Sequence, residues 1–137
     1  MSAVPAEVPL FGPGSKTLAN GDVVEGMWRD GMANGFCTTR FASGDLHEGM
    51  YKDNVRHGFG TYRWANGDLV QGEWLDGHII SGLRVSVNGT VYRGAFAGSL
   101  PCGRGVAFTR SGARYEGDFE AGQRNGYGVF RWANGDN

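Results

Sequence analysis

The chain has 137 residues, 40% of them hydrophobic and 20% charged, the composition of a single soluble globular domain. Its 13 basic and 14 acidic residues are scattered along the whole length and leave a net charge of -1, which excludes the basic footprint of a nucleic-acid binder and a polybasic membrane anchor. Glycine is the anomaly: 25 residues against 4 prolines, with no Gly-X-Y period, so a structural rule must place glycine at fixed positions.

The opening MSAVPAEVPLFGPG has neither a basic n-region nor an apolar run, and no stretch approaches the roughly 20 apolar residues of a membrane span. Two cysteines without CxxC spacing are too few for a disulfide framework, and these features together predict a cytoplasmic protein. After a short N-terminal segment, residues 1–9, the quartet Ala-Asn-Gly-Asp appears at 19–22 and returns at 65–68 and 133–136. The first two copies lie 46 residues apart, twice 23, and the last two lie 68 apart, one short of three times 23. A period of 23 with one deletion follows. The array then covers 10–137: a half repeat at 10–23 and repeats at 24–46, 47–69, 70–91, 92–114 and 115–137.

Each repeat reads as a β-hairpin: a short run ending in an aromatic residue, a Gly-rich loop, a second short run, then an Asn-Gly or Ser-Gly turn that leads to the next hairpin. Glycine after asparagine supplies the positive φ of a tight turn, and an odd loop length keeps one side-chain face continuous. The expected linker is a three-residue loop with Gly in the left-handed position. Because strand side chains alternate, positions 1, 3 and 5 of the first strand share a face with positions 14, 16 and 18 of the second. That face collects Trp28, Tyr51, Trp74, Phe96 and Phe119 at position 5, Tyr92 and Tyr115 at position 1, Tyr62 and Phe130 at 16, and Phe41, Trp64 and Trp132 at 18. The other aromatics, Phe11, Phe36, Phe59, Phe108 and Tyr127, fall off it.

Pairing position 1 with 18, 3 with 16 and 5 with 14 sets Tyr51 opposite Gly60, Phe119 opposite Gly128 and Tyr62 opposite Gly49, each ring over bare backbone, with Cys37 replacing the glycine opposite Trp28. On the other face this register pairs Glu25 with Arg40, Glu48 with Arg63 and Glu116 with Arg131, and both partners change together at Arg93 and Phe108.

The pattern Y-x-G-x-W-x-x-G-x-x-x-G-x-G, followed by an aromatic pair and Asn-Gly, resembles the MORN (membrane occupation and recognition nexus) repeat, as in His47-Glu48-Gly49-Met50-Tyr51 through Gly58-Phe59-Gly60. The resemblance covers nearly everything from residue 10 onward. It implies an all-β, elongated, single-layer, twisted antiparallel sheet of successive hairpins with a concave aromatic groove. It also implies a scaffold rather than an enzyme, of the sort found in cytoskeletal and membrane-junction proteins and beside catalytic domains. The third repeat departs from the pattern: Ser81 stands where Gly is expected, one residue is lost, and Val85 and Val87 replace the aromatic pair, so the groove should be shallower or offset near 80–90. Val24 and His47 stand where the family has Tyr.

No catalytic constellation emerges. His47, His57 and His78 lack a nearby nucleophile with an orienting group, and His57 reads as a loop residue packed before Gly58. Cys37 and Cys102 lie three repeats apart, six strands at about 4.8 Å, too far for a disulfide or a shared metal. Gly58-Phe59-Gly60 and Gly103-Arg104-Gly105 open no helix and carry no Walker lysine, so they are hairpin glycines. Asn88-Gly89-Thr90 sits at a turn position. The sequence predicts no enzyme, cofactor or metal site.

A dozen rings of about 150 to 250 Å² each, half shielded, would leave roughly 1,000 Å² uncovered, against about 300 to 600 Å² for the largest patch of an ordinary monomer. Two occupants are expected. One is a partner helix or extended peptide anchored by Trp64, Trp74, Tyr92 and Phe119 and extended by Tyr51 and Trp28. The other is an anionic phospholipid such as a phosphoinositide, met by the aromatics and by Arg29, Lys52 and Arg56, although Asp30 and Asp53 cancel much of that field. The setting would be a cytoskeletal or membrane-associated assembly, or a targeting array of a larger protein. The last strand, Tyr127 to Trp132, would be a free edge open to homodimer pairing.

Overall fold

A computed structural model describes residues 11–132 of the chain. The first segment, 1–9, and the third Ala-Asn-Gly-Asp turn, 133–136, lie outside the described residues. The strands are β1 (Phe11–Thr17), β2 (Val23–Arg29), β3 (Met32–Arg40), β4 (Leu46–Lys52), β5 (Val55–Arg63), β6 (Leu69–Leu75), β7 (His78–Val85), β8 (Val91–Ala97), β9 (Leu100–Phe108), β10 (Arg114–Glu120) and β11 (Gln123–Arg131). They form one open antiparallel sheet whose spatial order is the chain order. This is the all-β single-layer sheet of successive hairpins that the repeat predicts.

The Asn-Gly linkers have the expected form. In the second repeat the Trp64 N–H donates to the Asp68 carbonyl at 2.8 Å and the Gly67 N–H to the Trp64 carbonyl at 2.9 Å, leaving Ala65-Asn66-Gly67 as a three-residue loop. Gly67 takes φ +100°, a conformation that costs a side-chain-bearing residue strain. The aspartate that follows has a further role. Asp22 Oδ1 accepts the Ala42 N–H at 2.8 Å, Asp45 Oδ1 the Ala65 N–H at 2.8 Å, and Asp68 Oδ1 the Val87 N–H at 2.7 Å. These three linkers thus each fasten the next, which gives the Asp after the turn its role.

The other turn differs from expectation. The Gly-rich segment is strand, not loop: Lys52 pairs with Val55 across a two-residue turn in which Asp53 and Asn54 both have positive φ, 49° and 71°. Asp and Asn tolerate that region, so a tight hairpin of the primed type forms immediately after position 6. The register is therefore shifted by two from the expected one. His47 pairs with Tyr62 and Gly49 with Gly60, then a bulge on β5 brings Tyr51 opposite Arg56. Neither Tyr51 with Gly60 nor Phe119 with Gly128 is a pair; Phe119 faces Arg124. Cys37 pairs with Gly26, and Trp28 with Ala33. The Glu–Arg pairs fail for the same reason, since Glu25, Glu48 and Glu116 face Thr38, Thr61 and Val129, and Arg93 faces Val106 rather than Phe108.

Rings do lie over glycine, but from other positions. A Cβ on Gly60 would come within 2.9 Å of the His47 ring and 3.2 Å of Trp74 Nε1. Position 1 covers the glycine of its own hairpin, while position 5 reaches the preceding repeat, where Trp74 stands opposite Gly58. The third repeat absorbs its deletion in the bulge. Gly72 keeps its Gly82 partner, and only Ile80 is extra between Ser81 and Ile79. Val85 then pairs with Leu69, as Arg63 does from the other side. Position 16 is therefore Arg84 and position 18 is Ser86, not Val85 and Val87.

Candidate interaction face

The sheet's aromatic face is largely its own core. Trp28, Trp74, Tyr92, Phe96, Tyr115 and Phe119 are between 3% and 7% exposed within the single chain. They close over one another edge to face: Tyr92 meets Phe96 at 5.2 Å and Phe119 at 4.8 Å, and Tyr115 meets Phe119 at 5.2 Å. The bulge in each hairpin adds twist, which draws neighbouring rows together. Hydrogen bonds lock the rings. Trp28 Nε1 donates to the Gly14 carbonyl and Trp74 Nε1 to the Gly60 carbonyl, each at 3.0 Å. The expectation of roughly 1,000 Å² of uncovered ring is thus corrected, since half shielding understates how fully position 1 and position 5 rings enclose each other. Of the expected anchors Trp64, Trp74, Tyr92 and Phe119, with Tyr51 and Trp28, only Trp64 and Tyr51 remain accessible, both half-buried.

What a partner can reach is the rim formed by positions 16 and 18. Phe41, Tyr62, Trp64 and Phe130 are half-buried and Trp132 is exposed. Tyr62 meets Trp64 at 5.0 Å and Phe41 at 5.5 Å in tilted contacts, and Phe130 meets Trp132 edge-on at 4.4 Å. The Tyr62 hydroxyl donates to Asp45 Oδ2 at 2.6 Å, and burial, then that hydrogen bond and carboxylate, push its pKa up to about 12. Tyr51 and Thr39 share a 2.6 Å hydroxyl contact, and burial raises the Tyr51 pKa.

Three arginines lie on these rings. Arg56 sits 5.0 Å over Trp74 and 5.5 Å over Tyr62, Arg84 sits 4.9 Å over Trp64, and Arg124 sits 4.9 Å over Phe130. Arg84 and Arg124 were missed in the sequence reading. Once Gly82 is aligned with the other Gly–Gly pairs, Arg84 falls on the aromatic face by count alone. The three cations expected to meet lipid do not gather: Arg56 is on the aromatic face, while Arg29 and Lys52 pair with Met32 and Val55 beside the tight turns and point to the opposite, exposed face.

His57 lies in strand β5, not in a loop. His47 is fully buried with no hydrogen-bond partner on either ring nitrogen, and burial, assisted by the charge of Arg56, pushes its pKa down to about 3. Cys37 is buried and donates to the Met27 carbonyl at 3.3 Å, burial raising its pKa, and Cys102 is free as well. Among the described residues no three His, Cys, Asp or Glu side chains cluster, and no helix is long and apolar enough to cross a membrane.

An open sheet of successive, similar hairpins with one ring-lined face is a repeat-protein architecture. The MORN repeat family model matches residues 25–46, 47–69, 92–114 and 115–137, more than half of the chain, and the chain belongs to that family. Of the unmatched stretches, 70–91 holds the deletion. No curated protein matches the chain. Among solved structures, the TCP domain of SAS-4 from Drosophila melanogaster, in complex with a proline-rich motif of Ana2, is similar with a TM-score of 0.55, covering 98% of this chain and 81% of that one at 17% identity. At that identity the likeness is one of fold.

Proposed function

We propose that this chain is a non-enzymatic protein-interaction module that holds a peptide segment of a partner protein across its aromatic face, in a cytoplasmic assembly tied to the cytoskeleton or to a membrane. The observation that carries the reading is two accessible ring pairs, Tyr62 with Trp64 and Phe130 with Trp132, capped by Arg56, Arg84 and Arg124. Half-buried tryptophan, tyrosine and arginine are the residue types that dominate binding energy at interfaces. Membership of the MORN family supports it, and so does the peptide-bound state of the similar TCP domain. An extended segment fits better than a helix, because the position 1 and position 5 rings are buried and only the position 16 and position 18 rings are open, which leaves a shallow ledge rather than a deep groove.

The test selects a displayed library of random 16-residue peptides on the wild-type chain and measures the affinity of the selected peptides for Trp64→Ala. The expected loss is about thirtyfold, or about 2 kcal/mol. Parallel sedimentation with neutral and phosphoinositide-containing vesicles decides the lipid alternative. Vesicle binding that fades with salt, together with no peptide selected, would overturn the proposal in favour of a phospholipid-binding module.

A further inference from the structure

We propose that a hollow between the third and fourth repeats is an anchor socket, which takes one bulky apolar side chain of an acidic, extended partner segment while Arg84 holds the carboxylate next to that anchor. This deepens the peptide-binding reading above and rests on it.

The hollow exists because the ring pair is missing twice in succession. Where the second repeat has Tyr62 and Trp64, the third has Arg84 and Ser86 and the fourth has Ala107 and Thr109. The vacated space, about 230 Å³, is lined chiefly by Arg84, Ser86, Tyr92, Leu100, Ala107 and Phe119. Of the expectation that the groove is shallower or offset near 80–90, the first alternative is corrected: a hollow opens there. That volume is below the roughly 300 to 1,000 Å³ of pockets that enclose small-molecule ligands, so a single side chain suits it. Its floor is rigid: Tyr92 and Phe119 are buried against each other at 4.8 Å, and the Tyr92 hydroxyl is tied to the Ala95 carbonyl at 2.7 Å. A preformed apolar hole beside a polar rim is the setting in which one side chain carries most of the binding energy.

The charge of the face selects an acidic partner. Of Arg56, Arg84 and Arg124, only Arg84 has a carboxylate in ion-pair range among the described residues, Asp68 at 3.7 Å. The acids of this rim are already engaged, Asp45 by the Tyr62 hydroxyl and the Ala65 N–H, and Asp68 by the Val87 N–H as well as Arg84. Arg84 sits 4.9 Å over the Trp64 ring and gives Nη1 to the Ser99 carbonyl at 3.3 Å, so its orientation is set, while Nη2 lies 3.7 Å from Asp68, beyond hydrogen-bond range, and is left to meet a ligand carboxylate. From Trp64, at the end of β5, to the hollow centred near β8 is about three strand spacings, roughly 14 Å, which about four extended residues span. The segment therefore carries two apolar residues about four positions apart, with Asp or Glu adjoining the one in the socket.

The test selects the same displayed library on the wild-type chain alone and then measures the selected peptides on Ala107→Tyr. Tyrosine at 107 restores the residue type of Tyr62 at this position, so the variant should fold with an unchanged or raised melting temperature while filling the hollow. The selected peptides should share a bulky apolar residue with Asp or Glu within two positions, and should bind Ala107→Tyr at least tenfold more weakly. Arg84→Gln should abolish the acidic preference and retain the apolar one. If Ala107→Tyr misfolds, Ser86→Trp fills the same space from the other wall and carries the same expectation. Peptides that bind the filled variants as well as wild type but lose affinity for Trp64→Ala would overturn the socket and leave the binding face standing. Peptides indifferent to all these changes, or no selected peptide, would overturn both.

Discussion

Acidification should loosen this sheet through one residue, His47. The ring is fully buried, meets Trp74 at 4.9 Å and Tyr51 at 5.7 Å, has Arg56 as the nearby cation, and leaves both nitrogens without a partner. Its pKa is about 3 in the folded chain against the ordinary 6.5, so the folded state resists a proton that the unfolded state takes up readily. The sign follows. A depressed folded pKa leaves stability intact above pH 6.5 and erodes it as pH falls from 6.5 towards 3, at about 1.4 kcal/mol per pH unit. At pH 5, one and a half units below the unfolded value and above most carboxylate titration, the loss is about 2 kcal/mol, a large part of the typical 5 to 15 kcal/mol of a domain. Urea unfolding at several pH values between 7.5 and 5, for wild type and for His47→Leu, checks this. His57 and His78 occur in both proteins and cancel in the comparison. The wild type should lose about 2 kcal/mol more than His47→Leu over that range, and equal slopes for the two proteins would refute the reasoning.

Other expectations concern the linker ladder and the glycine line. Thr90 occupies the place of Asp22, Asp45 and Asp68, so Thr90→Asp should let the new carboxylate accept the Arg110 N–H and raise stability by about 0.5 to 1.5 kcal/mol in urea unfolding. Asp45→Ala removes the acceptor of both the Ala65 N–H and the Tyr62 hydroxyl; it should cost about 1 to 3 kcal/mol and bring the Tyr62 pKa down from about 12, read by ultraviolet titration of tyrosinate. Gly60→Val forces a side chain into the His47 and Trp74 rings and should cost about 1 to 3 kcal/mol, with the Trp74 indole N–H signal moving as its bond to the Gly60 carbonyl is disturbed.

Period, strand number and the division into two faces were legible from residue types alone. The faces survived an error of register because a shift of two, unlike a shift of one, leaves every side chain on its own side. What decides between the two registers is the pair at positions 7 and 8. Asp30-Gly31, Asp53-Asn54 and Asp76-Gly77 are two-residue turns with positive φ throughout, a local signal outweighed in the reading by the glycines of the following strand. The accessible part of the face was less legible, since ring burial depends on contacts between adjacent repeats, such as Tyr92 with Phe119. Arg84 was hidden by one deletion, and its place became visible only when Gly72 was seen to keep Gly82 as its partner.

The most direct measurement on the central claim is a ¹⁵N–¹H titration of the indole signals with a peptide selected on the wild-type chain. Trp28 and Trp74 are buried with their N–H groups bonded to Gly14 and Gly60, whereas Trp64 is half-buried on the accessible rim. The account predicts that the Trp64 indole shifts saturably with peptide while those of Trp28 and Trp74 hold still. An unmoved Trp64 signal, with binding instead weakened by Phe59→Ala on the opposite face, would contradict it.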